Sequence, residues 1–278
     1  MKTNDIKQWL FLCLFTLVAS CAEAQEKSAK KIYELLDNIS YAADSLDKYA
    51  HKRCVLDLYY PKGVKDFPTV VWFHGGGLTE GEKYIPQELK EMDIAVVAVN
   101  YRLSPRVSCP AYIEDAAAAV AWVFKHIMEY GGHTDKIYVS GHSAGAYLAL
   151  MLALNGEYLG KHRISPCQVA AWFPLSGQTM THYTIKHEQD IHSPAPVISR
   201  YAPCANLTAE TSPIVLITGD RKQELSARYE ENAYLKALLE SVGNKHITLH
   251  ELPGFNHNNM YRPGCLFLVE YIKKRQQM

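Results

Sequence analysis

The stretch KIYVSGHSAGAYLALMLAL, residues 136–154, decides the fold. Residues 136–140 read as a strand, and residues 146–154 form a strongly apolar helix-like run. Between them stands Gly141-His142-Ser143-Ala144-Gly145. A bare GxSxG pattern carries little weight, but a strand before it and a helix after it make it specific. A tight strand-to-helix turn presses the backbone against its neighbours, so both flanks must be small, and it lifts the central hydroxyl above the sheet. Ser143 is therefore the candidate nucleophile. It lies at a helix N-terminus, where free N–H groups and the helix dipole favour developing negative charge.

Outward from this turn, short apolar runs alternate with helical patterns. Residues 55–59, 69–73, 94–99, 136–140, 169–173, 214–218 and 247–252 read as strands, most of them continuous enough to be buried on both faces. Residues 112–130, 146–154 and 228–242 read as helices; the first stops at Gly131-Gly132 and the last at Gly243. Residues 31–49 also read as a helix, with Leu35, Leu36, Ile39 and Leu46 near one face. The alternation predicts an α/β fold with a mostly parallel sheet, whose chemistry belongs in the loops at the carboxyl ends of the strands.

Three such loops carry candidates. His74-Gly75-Gly76-Gly77 follows residues 69–73. A tetrahedral oxyanion needs N–H donors on a backbone that can approach closely, which glycines permit. Gly76, Gly77 and Ala144 are the expected donors, with Gly75 as a register alternative, and His74 is expected to brace the loop. No Lys-Ser/Thr pair opens a helix after it, as a phosphate-binding P-loop would require. Among twelve histidines, His257 stands just after the last strand, before a final helix around residues 265–274, and is the expected general base. His142 should point away across the turn, and His182, His187 and His192 should be solvated loop residues. The acid that orients the imidazole should follow the penultimate strand. Asp220 does so directly and is preferred for that rigid position; Glu224, four residues on, could also reach. The order 143, 220, 257 is the one this architecture uses.

The 278 residues are 48% hydrophobic, enough for one large domain that buries its own core. Twenty-nine basic residues balance twenty-nine acidic ones, and no basic stripe appears, which argues against a nucleic-acid partner. At the N-terminus, Lys2 and Lys7, an apolar run over residues 9–19 and Ala22-Glu23-Ala24 form a signal-peptide pattern, giving residues 1–24 as leader and 25–278 as the domain. Val18-Ala19-Ser20-Cys21 overlaps it as a lipoprotein box, which would attach the chain to a membrane through a lipid on Cys21 and without a spanning helix. Either route exports the protein to the periplasm, cell surface or medium. Cys54, Cys109, Cys167, Cys204 and Cys265 remain after processing, an odd number without CxxC spacing, which disfavours zinc clusters and thioredoxin chemistry. Cys167 and Cys204 are one candidate pair; buried thiols are the alternative.

At these residues a resemblance is plain. His74–Gly77, Asn100-Tyr-Arg-Leu-Ser-Pro105, Glu114-Asp115 with the alanines after it, and Gly141–Gly145 resemble the α/β-hydrolase esterases of the hormone-sensitive-lipase and BD-FAE-like groups, over residues 54–257. The resemblance implies a Ser-His-Asp carboxylic-ester hydrolase with a Ser143 acyl intermediate and neither metal nor organic cofactor. The chain departs from the pattern twice. Lys222 stands where such enzymes often carry the acid, and Asn258 stands where they often have glycine after the histidine. Residues 178–204, rich in Pro, Tyr and His, should form a short lid or pocket wall. No long apolar lid is present, which favours small to medium soluble acyl esters, acylated carbohydrates included, over triglycerides. An amidase, arylformamidase or peptidase with the same triad, and a non-catalytic binding protein on the same scaffold, are the alternatives.

On material from the native host, intact mass of the N-terminus should give a start at Gln25. A lipidated Cys21 as first residue would mean anchoring instead, and retention of Met1 would overturn export.

Overall fold

This computed structural model describes residues 31–42 and 47–277, so the signal-peptide and Cys21 readings lie outside the described residues. Contacts divide the chain into Met1–Ile32 and Tyr33–Met278. The second unit holds eight strands, β1 Tyr33–Ser40, β2 Val55–Pro61, β3 Phe67–Phe73, β4 Ala95–Val99, β5 Gly132–His142, β6 Ala171–Leu175, β7 Ile214–Gly219 and β8 Ile247–Leu252. They form one sheet in the order β1-β2-β4-β3-β5-β6-β7-β8. β2 pairs antiparallel with β1 and β4, and every other neighbouring pair is parallel. The helices are α1 Lys48–Arg53, α2 Ala111–His126, α3 Ala144–Leu154, α4 Gly156–Gly160, α5 Tyr183–Glu188, α6 Arg228–Ser241 and α7 Tyr261–Gln276.

The central strands β3, β4, β6 and β7 are largely apolar and buried at every residue because both sheet faces are covered there. Along β3, Val71 and Phe73 join Val120 of α2, Leu148 of α3 and Leu235 of α6, whereas Val70 and Trp72 face Leu268 and Ile272 of α7. This is the two-residue period of a strand read off its two cores. All eleven residues of α3 are buried, which explains why its sequence is apolar on every side. The helix expected over residues 112–130 is α2 followed by a 3-10 turn, Ile127–Tyr130, closed by Gly131 at φ +101°. The strand expected at 169–173 is displaced to Ala171–Leu175, after the 3-10 turn Pro166–Gln168.

The helix expected over residues 31–49 is overturned in its first half, which β1 occupies, and among the described residues of this stretch only Lys48–Arg53 is helical. Asn38, at φ +55°, and a register shift between Leu36 and Ile39 mark a bulge in β1. The bulge converts a two-residue alternation into a three-residue apolar step that imitates a helix face. Tyr33 stacks on Tyr59 at 4.8 Å, pinning this outer strand to β2.

From β3 the chain runs to β4 on one side, whereas β5 continues through α3 to β6 on the other. The carboxyl ends of adjacent β3 and β5 therefore border a crevice, the place where open α/β sheets bind ligands. The two loops meet there at very short range. A Cβ on Gly145 would fall inside contact distance of the Phe73 and His74 carbonyls, and one on Gly141 would lie 2.7 Å from the Phe73 oxygen. Gly145→Ala should therefore destabilise the fold by about 1–3 kcal/mol or more, since backbone cannot yield as a side chain does. Urea unfolding measures it; a change below about 0.5 kcal/mol, the level of an inconsequential surface substitution, would show that the approach is not obligatory.

Candidate active site

Ser143 occupies the apex between β5 and α3 with φ +55° and ψ −113°, a conformation costly for any residue with a side chain. Its N–H donates to the Leu175 carbonyl at 2.9 Å and its carbonyl accepts from Tyr147 N–H at 3.0 Å, so the strain is held from both sides. Ser143 Oγ lies 2.9 Å from His257 Nε2. On the far side of the ring, His257 Nδ1 lies 2.6 Å from Glu224 Oε1. The carboxylate fixes the proton on Nδ1, leaving Nε2 to accept from the serine hydroxyl. The ring and the Glu224 side chain are 13% and 1% exposed, so this pair lies largely away from water.

The acid on the imidazole is thus Glu224 and not Asp220. Asp220 follows β7, but its own N–H donates to the Phe255 carbonyl at 2.7 Å. Its carboxylate accepts from the Lys222 and Gly254 N–H groups, each at 2.9 Å. Those bonds pin the turn after β7 to the loop that carries His257 and hold the Asp220 carboxyl below its ordinary range. Glu224 returns toward the sheet because the 220–224 turn closes on itself through Glu224 N–H to the Asp220 carbonyl at 2.8 Å. Its Oε1 accepts from Leu225 N–H at 2.9 Å, and its Oε2 from Gly219 N–H at 3.1 Å and Ser176 Oγ at 2.9 Å. Burial alone would raise this carboxyl; hydrogen bonds from His257, Leu225 and Ser176, with the imidazole's charge, outweigh it and lower it to about 2.

Sequence reasoning missed Ser176, whose hydroxyl also lies 3.0 Å from His257 Nδ1. It stands just beyond the carboxyl end of β6, and that position was the signal available. His142 does not point away: its ring lies 4.8 Å from that of His257, and its Nε2 is 2.8 Å from the His257 carbonyl. His182, expected in solvent, is buried, caps α5 by accepting from Thr184 N–H, and packs on Tyr147. His187 and His192 are exposed. Cys167 and Cys204 are both free thiols, so this pair is not bridged.

The glycine loop sits beside Ser143: a Cβ on Gly75 would be 3.4 Å from Ser143 Cβ. Gly76 and Gly77 take φ +108° and +62°, values that L side chains rarely adopt. Among the described residues neither of their N–H groups has a protein acceptor. Ala144 opens α3, where first-turn N–H groups lack intrahelical partners. His74 braces the loop as expected. It stacks on Tyr101 at 4.4 Å and donates from Nδ1 to the Gly75 carbonyl at 2.6 Å. Buried Arg53 reaches it from below, 3.5 Å from Nε2, and also donates to the Tyr101 and Gly81 carbonyls at 3.0 Å. Among the described residues, no group of three or more His, Cys, Asp or Glu could hold a metal ion, and no helix is long and apolar enough to cross a membrane. A cavity of about 700 Å³ lined by Tyr41, Trp122, His126 and His162 contains none of these site residues.

On the ester hydrolysis expected from the sequence, Glu224→Gln should lower turnover by roughly three to four orders of magnitude by losing the tautomer, while Asp220→Asn should cost less than about tenfold. Steady-state kinetics on both folded variants decide it, and the reverse ranking would return the acid to Asp220. Because the folded carboxyl is held at about 2, below its ordinary 4.5, its stabilising effect is present above about pH 4.5 and is lost as pH falls toward 2. The melting-temperature gap between the protein and Glu224→Gln should narrow over that window.

Residues 56–237 match the BD-FAE family model. Curated relatives include a probable isoprenylcysteine alpha-carbonyl methylesterase of Arabidopsis thaliana, 38% identical over 135 residues, covering 44% of this chain and 28% of the relative. Carboxylic ester hydrolase LipN of Mycobacterium tuberculosis is 32% identical over 120 residues, covering 41% of this chain and 32% of its own length. The alignments thus span about a third of these relatives. Among solved structures, a truncated carbohydrate esterase from gut microbiota superposes with a TM-score of 0.69 at 19% identity, over 90% of this chain and 99% of that one. The hyperthermophilic esterase from the archaeon Pyrobaculum calidifontis gives 0.66 at 19%, over 99% and 94%. These likenesses, with the mostly parallel sheet flanked by helices, make the architecture the α/β-hydrolase fold, and by its family model the chain belongs to the BD-FAE family.

Proposed function

We propose that this chain is a serine carboxylic-ester hydrolase acting on small to medium soluble acyl esters. The observation that carries the reading is the continuous relay Ser143–His257–Glu224, at 2.9 and 2.6 Å, beside the Gly76 and Gly77 N–H groups, which have no protein acceptor among the described residues. Ser143 Oγ attacks the ester carbonyl carbon while its proton passes to His257 Nε2, and Glu224 stabilises the imidazolium. The carbonyl oxygen, now anionic, is held by the N–H groups of Gly76, Gly77 and Ala144. When the tetrahedral intermediate collapses, the alcohol leaves with the proton from His257 and the acyl group stays on Ser143. Water then attacks, giving its proton to His257, and the carboxylic acid departs as Ser143 Oγ recovers a proton. No step calls on a metal or organic cofactor.

For the alcohol portion, an acylated carbohydrate is the favoured class. A carbohydrate esterase and a bifunctional GH43-CE protein of Bacteroides eggerthii are among the chains of like fold, and export, read from the leader and from Cys21, suits a substrate outside the cell. Ser143→Ala should abolish turnover of p-nitrophenyl acetate and butyrate and the labelling by a fluorophosphonate probe. Activity should fall as the acyl chain lengthens past about eight carbons, and acetylated oligosaccharides should release acetate. Turnover that survives Ser143→Ala would overturn the mechanism, and faster cleavage of a matched anilide than of the ester would point to an amidase.

A further inference from the structure

The insertion after β6, residues 178–204, reads from the sequence as a lid or wall, but its contacts give it another task. Gly77, one of the oxyanion donors in the reading above, has no side chain, so its torsions are held only by what grips its backbone. Its carbonyl accepts from Thr184 Oγ1 at 2.5 Å, across 107 residues of sequence. On the other side, the Tyr183 hydroxyl fills the space a Cβ on Gly77 would take. The next residue, Leu78, is fully buried at φ +65°, and its carbonyl accepts from Ser104 N–H at 2.9 Å. The peptide between Gly77 and Leu78 is therefore clamped from the core by Leu78 and from the insertion by Thr184.

The clamp is itself rigidly mounted. At the start of α5, His182 is buried against Tyr147 and accepts from Thr184 N–H at 3.3 Å. At its end, Glu188 Oε2 accepts from Cys109 N–H at 2.8 Å and Tyr112 Oη at 3.2 Å, beside and within α2. Ile185 is fully buried between the two. Lys186 Nζ gathers the chain that follows by donating to the Ser193 and Ala195 carbonyls at 2.6 and 3.0 Å. A helix fixed at both ends transmits its position to Gly77 instead of yielding to it.

We propose that α5 is a strut for the oxyanion loop and that Thr184 is a positioning residue for the Gly77 amide. The proposal rests on the hydrolase reading for its effect on rate, though not for its effect on structure. Removing an oxyanion donor outright costs about a hundredfold to a thousandfold in turnover, and loosening one should cost part of that. Thr184→Val, nearly isosteric, should lower kcat by about ten- to a hundredfold with KM within about twofold, because the contact matters in the transition state. Thr184→Ser, which keeps the hydroxyl, should stay within about threefold of the unaltered protein. A trifluoromethyl ketone, which adds Ser143 Oγ to its carbonyl and leaves an oxyanion in the same place, should bind more weakly to Thr184→Val by the factor lost in kcat/KM. Titration with a fluorophosphonate should count the same number of sites, separating misalignment from misfolding. Independently of activity, hydrogen exchange in peptides covering residues 74–80 should quicken at least about tenfold in Thr184→Val and not in Thr184→Ser. Unchanged exchange there, an unchanged kcat, or a loss shared equally by the serine variant each overturns the strut. If the unaltered protein shows no Ser143-dependent turnover, the hydrolase reading fails, and the exchange measurement still decides whether Thr184 holds the loop.

Discussion

Everything in the site hangs on the contact of Gly145 with the carbonyls of Phe73 and His74. α3 can begin directly above the end of β3 only because this helical position carries no side chain. That contact brings two separately encoded loops, the serine turn of β5 and the glycine loop of β3, side by side. The sheet order makes it available, since β3 and β5 are neighbours whose onward chains leave in opposite directions. The strained φ of Ser143 follows from the same crowding: the chain must reverse from strand to helix in one residue, and the bonds to Leu175 and from Tyr147 keep it there.

The other half of the relay is governed by reach. Asp220 is the first residue past β7, and Gly219 before it lies so close to the His257 loop that a Cβ there would be 2.5 Å from the Phe255 carbonyl. A carboxylate at 220 is consumed in bonding the backbone of its own turn and of residue 254. A residue four positions on, returned by that turn and one methylene longer, fits under the imidazole, with four hydrogen-bond donors sharing its two oxygens. Ser176 is one of them. Since its hydroxyl donates to Glu224 Oε2, it can only accept from His257 Nδ1, sharing that one proton with the shorter bond to Glu224 Oε1 and so tying both partners together.

Ser143, the glycine loop and His257 were legible in the sequence because each is announced by local chemistry: a turn that demands small residues, or a loop following an apolar run. The acid was less so. Strand-end position favoured Asp220, whereas the choice turns on which backbone amides a side chain must satisfy, and that is a tertiary fact. β1 misled for a related reason, because an outer strand with one exposed face and a bulge at Asn38 loses the alternation that identifies strands. Arg53 and Thr184 left no local trace at all. Each acts on the glycine loop from a segment distant in sequence, and only the pairing of backbone carbonyls with those side chains reveals the task.

The histidines around Ser143 show how burial assigns roles that spacing cannot. His74 and His182 are buried and His142 is half-buried, and desolvation, the largest influence on each, pushes them down to about 4, 3 and 4. Among the described residues none has a carboxylate partner within hydrogen-bond reach, so at neutral pH they serve as uncharged rings. His74 gives its Nδ1 proton to the Gly75 carbonyl, His142 gives its Nε2 proton to the His257 carbonyl, and His182 uses Nδ1 to accept from Thr184. Each ring thus has its tautomer set by a backbone group and orders one loop of the site. His257 alone meets an anion on one nitrogen and a hydroxyl on the other. Of the four imidazoles gathered around the crevice, it is the one set between a hydroxyl and a carboxylate, the geometry that the proposed general base needs.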